Sequence, residues 1–399
     1  MKRVLIWDKP YVLKNTGGPA GYLFNIKKYL SLYPCENVSF YSDLLKEDFK
    51  NEDNEIKISA LKLKIAKACK ILPFLSELRK RYFVKQKISK REKEIISLFD
   101  YVHFHALTDY FIIKSDIPRT VGVMLTTHTP EPLYDEVCGI CEISKNHIFA
   151  KLLRPLFLKY EAAAYDNADK LIFPTEDALE VYTNNSKQLA ISLHRNSSKM
   201  FFIPTTLFPN HKIESKEYPI SKLSLPPNAF VISYIGRHNQ VKGYDFIKKL
   251  AVEVWKTSPN VFFVIGGNET PLKGIKDTRW KELGWVNTQD VLNQSDIFIL
   301  PNRETYFDLI ALEVLRQGVP LVATRTGGNK WFEKNGLKGV YLFDKNDTSS
   351  ALTSISSLMK IKERGDLDKL KENIRSEFAL NFNMKNFVER YVACLNSVK

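Results

Sequence analysis

Twelve short apolar runs, each four to six residues long, recur along this 399-residue chain with segments of helical length between most of them. In the first half they fall at 4–7, 38–41, 101–105, 121–126, 170–174 and 201–204, and in the second half at 230–235, 261–265, 282–286, 297–301, 320–324 and 339–343. Compact runs rich in Val, Ile, Leu and Phe, separated by helical patterns, indicate parallel βαβ units with both sheet faces covered. The runs divide six and six around "PNHKIESKEYPISKLSLPPN", residues 209–228, which is polar, proline-bearing and weakly periodic. The expectation is an α/β protein of two doubly wound, Rossmann-like domains facing a central cleft. Their boundaries are set at 1–210 and 211–380, with 381–399 as a terminal helix that crosses back to the first domain.

Composition narrows the class further. The chain is 44% hydrophobic and 26% charged, as soluble globular proteins are. No apolar run approaches the roughly 18 residues of a membrane span. The opening "MKRVLIWDKPY" holds too short an apolar run for a signal-peptide core and reads as a first strand. Five cysteines, odd in number and thinly spread, suit a reducing, cytoplasmic setting. Cys138 and Cys141, in "VCGIC", have redox-motif spacing without a thioredoxin-like context and read as incidental.

The formal charge of +14 is concentrated. Residues 57–93 carry thirteen Lys/Arg against two Glu, a net of +11, which leaves +3 for the rest. Those cations interleave with Leu, Ile and Phe, and Pro73 is expected to split the stretch into two helical pieces. A basic amphipathic segment suits an anionic membrane surface; the plainer reading is a helix packed on its own domain with a solvated basic face. No nucleic-acid motif accompanies the charge, so nucleic acid is not the expected partner.

Chemistry-bearing residues gather after the second-half runs. "YIGRHNQVKGYDF" places Arg237 and Lys242 on one loop after Gly236, a pairing suited to a diphosphate as fork and point charge. "FVIGGNET" brings Gly266 and Gly267, and "ATRTGGNKW" brings Gly327 and Gly328; such pairs are also common turn residues. "RETYFDLIALEVLRQG" holds Glu304 and Glu313, and 304–308 are expected to open a helix whose free N–H groups favour an anion. In the first half, Gly17 and Gly18 precede a helix, His128 closes the run at 121–126, and His103 and His105 share one face of a strand. No third ligand accompanies that histidine pair, and no Asp-x-Asp site is evident, so no metal is expected.

Taken in order, "GRxxxxKG … GG … LGWV … DIFILPNRETYFDLIALEVLRQGVPLVAT … GG" resembles the nucleotide-sugar domain of retaining family-four glycosyltransferases, which have the GT-B fold. The resemblance covers 229–345 and extends more loosely through "NTGGPAGYLFNI", "YVHFHALTD", "LTTHTPEP" and "AAYDNADKLIFPTEDA". It implies that Arg237 and Lys242 hold the donor diphosphate; the residues themselves suggest that Gly236 and Gly267 allow close backbone approach to the donor, and that Gly17 and Gly18 let the backbone approach the donor phosphates or the acceptor, with a plain strand–helix turn as the alternative. It implies that the backbone at Trp285 and Val286 receives the nucleobase, that Glu313 contacts the ribose hydroxyls, and that His128 lies by the donor sugar. The family pattern E-x-F-G-L-x-x-L-E places Phe307, Asp308 and Leu309 on its aromatic, glycine and leucine, and its first glutamate falls on Thr305. Either Glu304 reaches in through a one-residue bulge or Thr305 takes the position. Asp308 in place of glycine bears on sugar choice.

The reading is a retaining, metal-independent glycosyltransferase with no cofactor beyond its nucleotide-sugar substrate. Its expected acceptor is a lipid-linked or glycan hydroxyl in surface polysaccharide or lipopolysaccharide synthesis, at the inner face of the cell membrane. Two alternatives stand beside it: a catalytically degenerate GT-B partner subunit, motivated by Thr305 and Asp308, and a non-hydrolysing nucleotide-sugar epimerase.

Overall fold

The structure is a computed structural model, and it describes residues 1–8, 13, 18–45, 71–208 and 225–397. The chain forms two compact units: Met1–Phe173, Val181–Ile203 and Val388–Lys399 make one, and Pro174–Glu180 with Pro204–Phe387 make the other. The expected linker at 209–228 lies mostly outside the described residues, as does Gly17.

Each unit is built on a six-stranded sheet whose paired strands are all parallel. In the first, β1 (Val4–Trp7), β2 (Val38–Phe40), β3 (Tyr101–Phe104), β4 (Gly122–Leu125), β5 (Lys170–Phe173) and β6 (Met200–Phe202) lie in the order β2-β1-β3-β4-β5-β6. In the second, β7 (Phe230–Ile235), β8 (Val261–Gly266), β9 (Trp280–Glu282), β10 (Ile297–Leu300), β11 (Leu321–Thr324) and β12 (Val340–Phe343) lie in the order β12-β11-β10-β7-β8-β9. Counted within its own unit, that is the Rossmann order, with its switch point between β7 and β10.

Every expected strand exists because continuous apolar runs are buried on both faces: β1, β3, β5, β8, β10 and β11 are buried throughout. The second unit's core packs Phe246 on Phe343 with ring centroids 5.3 Å apart, and Phe263 on Trp280 at 5.6 Å. Each such ring contributes roughly 2–3 kcal/mol by leaving water.

One local expectation is corrected. The strand placed at 282–286 is β9, Trp280–Glu282, which pairs with Phe263–Ile265. Gly284, at φ 67°, turns the chain out of extended conformation just beyond it. Pro73, expected to divide the basic segment, is the third residue of the helix Ile71–Tyr82. Residues 57–70 of that segment lie outside the described residues.

Candidate donor site

The loops leaving β7 and β10 meet at the switch point of the second sheet. After β7, Gly236 donates its N–H to the Gly266 carbonyl at 3.1 Å, and the Tyr234 hydroxyl donates to the Arg237 carbonyl at 2.8 Å. The chain then turns through Asn239, whose Oδ1 accepts the Lys242 N–H at 2.9 Å. Gly243 enters the helix Tyr244–Thr257 at φ 70°, and a Cβ there would stand 2.0 Å from the Pro301 carbonyl oxygen. No other residue allows β10's exit to pass so close.

Three contacts tie the two loops together. Arg303 forks onto Asp245 at 2.8 and 2.6 Å, and its N–H donates to the Val241 carbonyl at 2.8 Å. That fork holds the Asp245 carboxyl below its ordinary range. Lys242 Nζ lies 2.6 Å from Asp308 Oδ2, which also accepts from Asn302 Nδ2. Arg237 differs: it is exposed and makes no ion pair among the described residues.

The segment expected to open a helix at 304–308 is an irregular loop with bends at Glu304 and Tyr306. The helix is Leu309–Arg316, and Asp308 is its N-cap residue in β conformation. The Asp308 carboxylate makes no hydrogen bond to that helix's own N–H groups because Lys242 and Asn302 hold it. Asp308 thus gives the helix no side-chain cap, and the helix start keeps its partial positive charge.

Thr305 and Glu304 separate clearly. Thr305 is wholly buried, its Oγ1 without a partner, and its carbonyl oxygen would lie 1.9 Å from any Cβ at Gly327. Gly327, at φ 46°, with Gly328 lets β11's exit close over the backbone of Thr305 and Tyr306. The Gly327 N–H donates to Glu180 Oε2 at 2.9 Å. Glu304 is only half-buried. Phe307 is buried against Phe332 and Trp331, at 5.4 and 6.1 Å, as a core residue beneath Gly328.

Glu313 lies midway along its helix, half-buried. Burial pushes its carboxyl up, with Arg316 and a hydrogen bond to Thr288 acting against that. The third loop carries Gly267, whose N–H donates to the Gly284 carbonyl at 2.7 Å, so β8's exit is strapped to the chain beyond β9. Val286 packs under Gly266, and Trp285 beside it is 83% exposed.

Sequence reasoning passed over Arg303, Asn302, His238 and Glu282. His238 is fully buried and stacks on Tyr244 at 4.0 Å, and Glu282 accepts from the Tyr244 hydroxyl and from Trp280 Nε1 at 2.7 Å. His238 interrupts the Arg237–Lys242 loop, a signal that could have marked it as the loop's anchor.

The first unit holds a histidine cluster. His103, in β3, has Nδ1 2.6 Å from the Tyr391 hydroxyl and Nε2 2.8 Å from Thr126 Oγ1. His105 Nδ1 and His128 Nε2 are 3.1 Å apart, and the Tyr22 ring packs on His128 at 4.6 Å. Tyr22 belongs to the helix Gly18–Leu32, which Gly18 opens at φ 78°. His128 lies three residues past the end of β4, beyond the strand it was expected to close. Burial lowers all three imidazoles, His103 and His128 to about 3, so they are neutral near pH 7. No group of three His, Cys, Asp or Glu side chains disposed to hold a metal ion occurs among the described residues. Burial raises the Cys138 thiol to about 12, which leaves it unreactive.

Two Rossmann-like units of this topology define the GT-B fold. The sucrose-phosphate synthase of Thermosynechococcus elongatus shares it at a TM-score of 0.61 and 14% identity, over 98% of this chain and 97% of that one. Residues 229–360 match the family model "Glycosyl transferases group 1". The Escherichia coli UDP-Gal:alpha-D-GlcNAc-diphosphoundecaprenol alpha-1,3-galactosyltransferase is 27% identical over 180 residues, 42% of this chain and 46% of that protein. This chain thus spans about half of that relative's length. The lipopolysaccharide 1,2-N-acetylglucosaminetransferase of Salmonella typhimurium is 22% identical over 298 residues, 70% of this chain and 74% of that protein.

Proposed function

We propose that this protein moves a sugar from a nucleoside diphosphate to a hydroxyl of a lipid-linked or glycan acceptor, with retention at the anomeric carbon. One observation carries the reading: an exposed Arg237 guanidinium, without an ion pair among the described residues, stands on the loop after β7, and a helix to which its N-cap residue gives no side-chain cap follows the loop after β10. Both are groups that stabilise a departing diphosphate, each by on the order of 2–4 kcal/mol in the transition state. Lys242 adds a second cation once Asp308 yields it. Glu313 offers a carboxylate whose burial is relieved by accepting ribose hydroxyls. Glu304, not the buried Thr305, is the acid assigned to the donor sugar. His128, neutral, is assigned to a sugar hydroxyl, which it can serve without carrying charge.

The acceptor hydroxyl gives its proton to the departing phosphate on the same face, and these groups supply no strong base for it. Because cations and a helix start meet the leaving group's charge, no divalent metal is assigned. The acceptor class follows the two relatives, whose names specify a diphosphoundecaprenol-linked sugar and a lipopolysaccharide.

The test is nucleotide release from a panel of UDP-, GDP- and ADP-sugars, with and without membrane lipid. Release from one donor, stimulated by lipid and lost in Arg237→Ala, supports transfer, and an inverted product anomer sinks retention. A second reading, a degenerate partner subunit, is favoured by the Asp308 carboxylate already sitting on Lys242. Donor turnover by the purified chain disposes of it. Acceptor-independent isomerisation of a donor would favour an epimerase instead.

A further inference from the structure

The helix Ile148–Asn167 is fixed in rotation by its inner face. Glu161 is fully buried there and accepts the N–H groups of Leu133 and Tyr134 at 3.1 and 3.0 Å and the Tyr82 hydroxyl at 2.7 Å. Phe157 packs beside it on the rings of Tyr82 and Tyr134, at 4.7 and 5.4 Å. Those contacts turn the opposite face outward, and that face is apolar. Ile148, Phe149, Leu152, Leu156 and Tyr160 are all exposed, Leu152 at 69% and Ile148 at 66%. They recur at helical spacing, so they form one stripe. Phe83 extends it, edge-on to Tyr160 at 5.3 Å, with the exposed Val84 following.

A stripe of this kind on a water-facing helix needs an occupant. Charge identifies which. The exposed Lys151 and Lys159 lie on the same helix, and Lys85 and Lys87 follow Phe83 and Val84. Residues 79–91 hold seven Lys/Arg and no acid. The helix's only two acids are withdrawn: Glu161 is buried, and Asp166 is bound by Arg195, Ser192 and Asn196. An apolar stripe edged with lysines matches the boundary between acyl chains and anionic headgroups. No helix among the described residues is long and apolar enough to cross a membrane.

We infer that the Ile148–Asn167 helix, with Phe83 and Val84, seats this unit on the surface of an anionic bilayer. Leu152, Leu156 and Phe149 enter the acyl boundary, and the lysines meet the headgroups. The inference deepens the acceptor assignment above and rests on it only for why a membrane matters; vesicle binding is measured without any donor, so the two fail separately.

The experiment is flotation of the full chain with vesicles of phosphatidylcholine alone or with about one-third phosphatidylglycerol. Binding to the anionic vesicles only, weakened by 0.5 M salt, is expected. The pair Leu152→Glu and Leu156→Glu should lower it by roughly a hundredfold or more, while the melting temperature stays near the parent's because both side chains face water. Lys151→Glu with Lys159→Glu should lower it by about tenfold and flatten its salt dependence. Failure of the unaltered protein to bind anionic vesicles overturns the inference, as does binding indifferent to the leucine pair. A dimer in solution that the leucine pair dissociates, without vesicle binding, would overturn it in favour of a self-interface.

Discussion

The two sheets share a parallel architecture, yet their strand ends carry opposite kinds of chemistry. Beyond β7 and β10 the second unit sets Arg237, Lys242, Arg303, Asp245 and Asp308, a network of formal charges. Beyond β3 and β4 the first unit sets His105 and His128, with His103 inside β3, and burial keeps all three neutral. The contrast teaches how a transferase of the proposed kind divides its labour. A diphosphate needs fixed charge where it departs, whereas a sugar's hydroxyls need hydrogen bonds that do not compete for the anion. Charging the histidines or neutralising the loops would erase the division.

The largest effect is expected from Arg237→Ala. It removes the one loop cation with no ion pair among the described residues, and kcat/KM for nucleotide release should fall about 100- to 1000-fold. Because Arg237 is exposed, thermal stability should barely move. A loss under tenfold would shift the phosphate role to Lys242.

Next comes acid stability of the histidine unit. His103 is fully buried, and its pKa is lowered to about 3 from an unfolded value near 6.5. The folded state therefore binds fewer protons, so the stabilisation is whole above pH 6.5 and lost as pH falls toward 3. By pH 5 the cost is about 2 kcal/mol from His103 alone. His128, partly exposed, should add less. Denaturant unfolding at pH 7 and pH 5 measures it, and His103→Gln should flatten the difference; an unchanged slope would show that His103 is not the group titrating.

How far this division was legible beforehand depended on sequence distance. Strands announced themselves because a βαβ sheet demands unbroken apolar runs, and even β9 was missed by only a few residues. Its signal was blurred because "WKELGWV" mixes strand and turn residues around Gly284. Arg237 and Lys242 stood out as cations just after a strand end. Their different fates did not: Lys242 meets Asp308 across 66 positions, and Arg303 meets Asp245 across 58. Only the closure of β7 beside β10 brings those pairs together. The helix start near 304–308 was misplaced for a related reason. Residues 304–308 were expected to open the helix, while in the fold Asp308 answers Lys242 and Thr305 is buried under Gly327.

The Lys242–Asp308 pair gives a smaller, more discriminating prediction. Asp308→Gly removes the carboxylate that neutralises Lys242 and frees the cation for phosphate. Donor KM should fall about five- to tenfold, roughly 1 kcal/mol, with a steeper salt dependence. If KM rises instead, Asp308 is a donor ligand in its own right, and the charged loop works through a carboxylate.

The smallest effect is expected at Trp285, and it sharpens the contrast from the opposite side. Its indole is 83% exposed beside a chain strapped by the Gly267–Gly284 hydrogen bond. If the nucleobase is read by backbone groups here, the ring adds only a stacking face, worth about 0.5–1 kcal/mol. Trp285→Ala should then weaken nucleoside diphosphate binding by roughly two- to fivefold in calorimetry and leave kcat unchanged. A loss beyond about 30-fold would make the ring the chief base contact. The charged loop would then hold only the phosphates, and base selection would rest on one exposed aromatic.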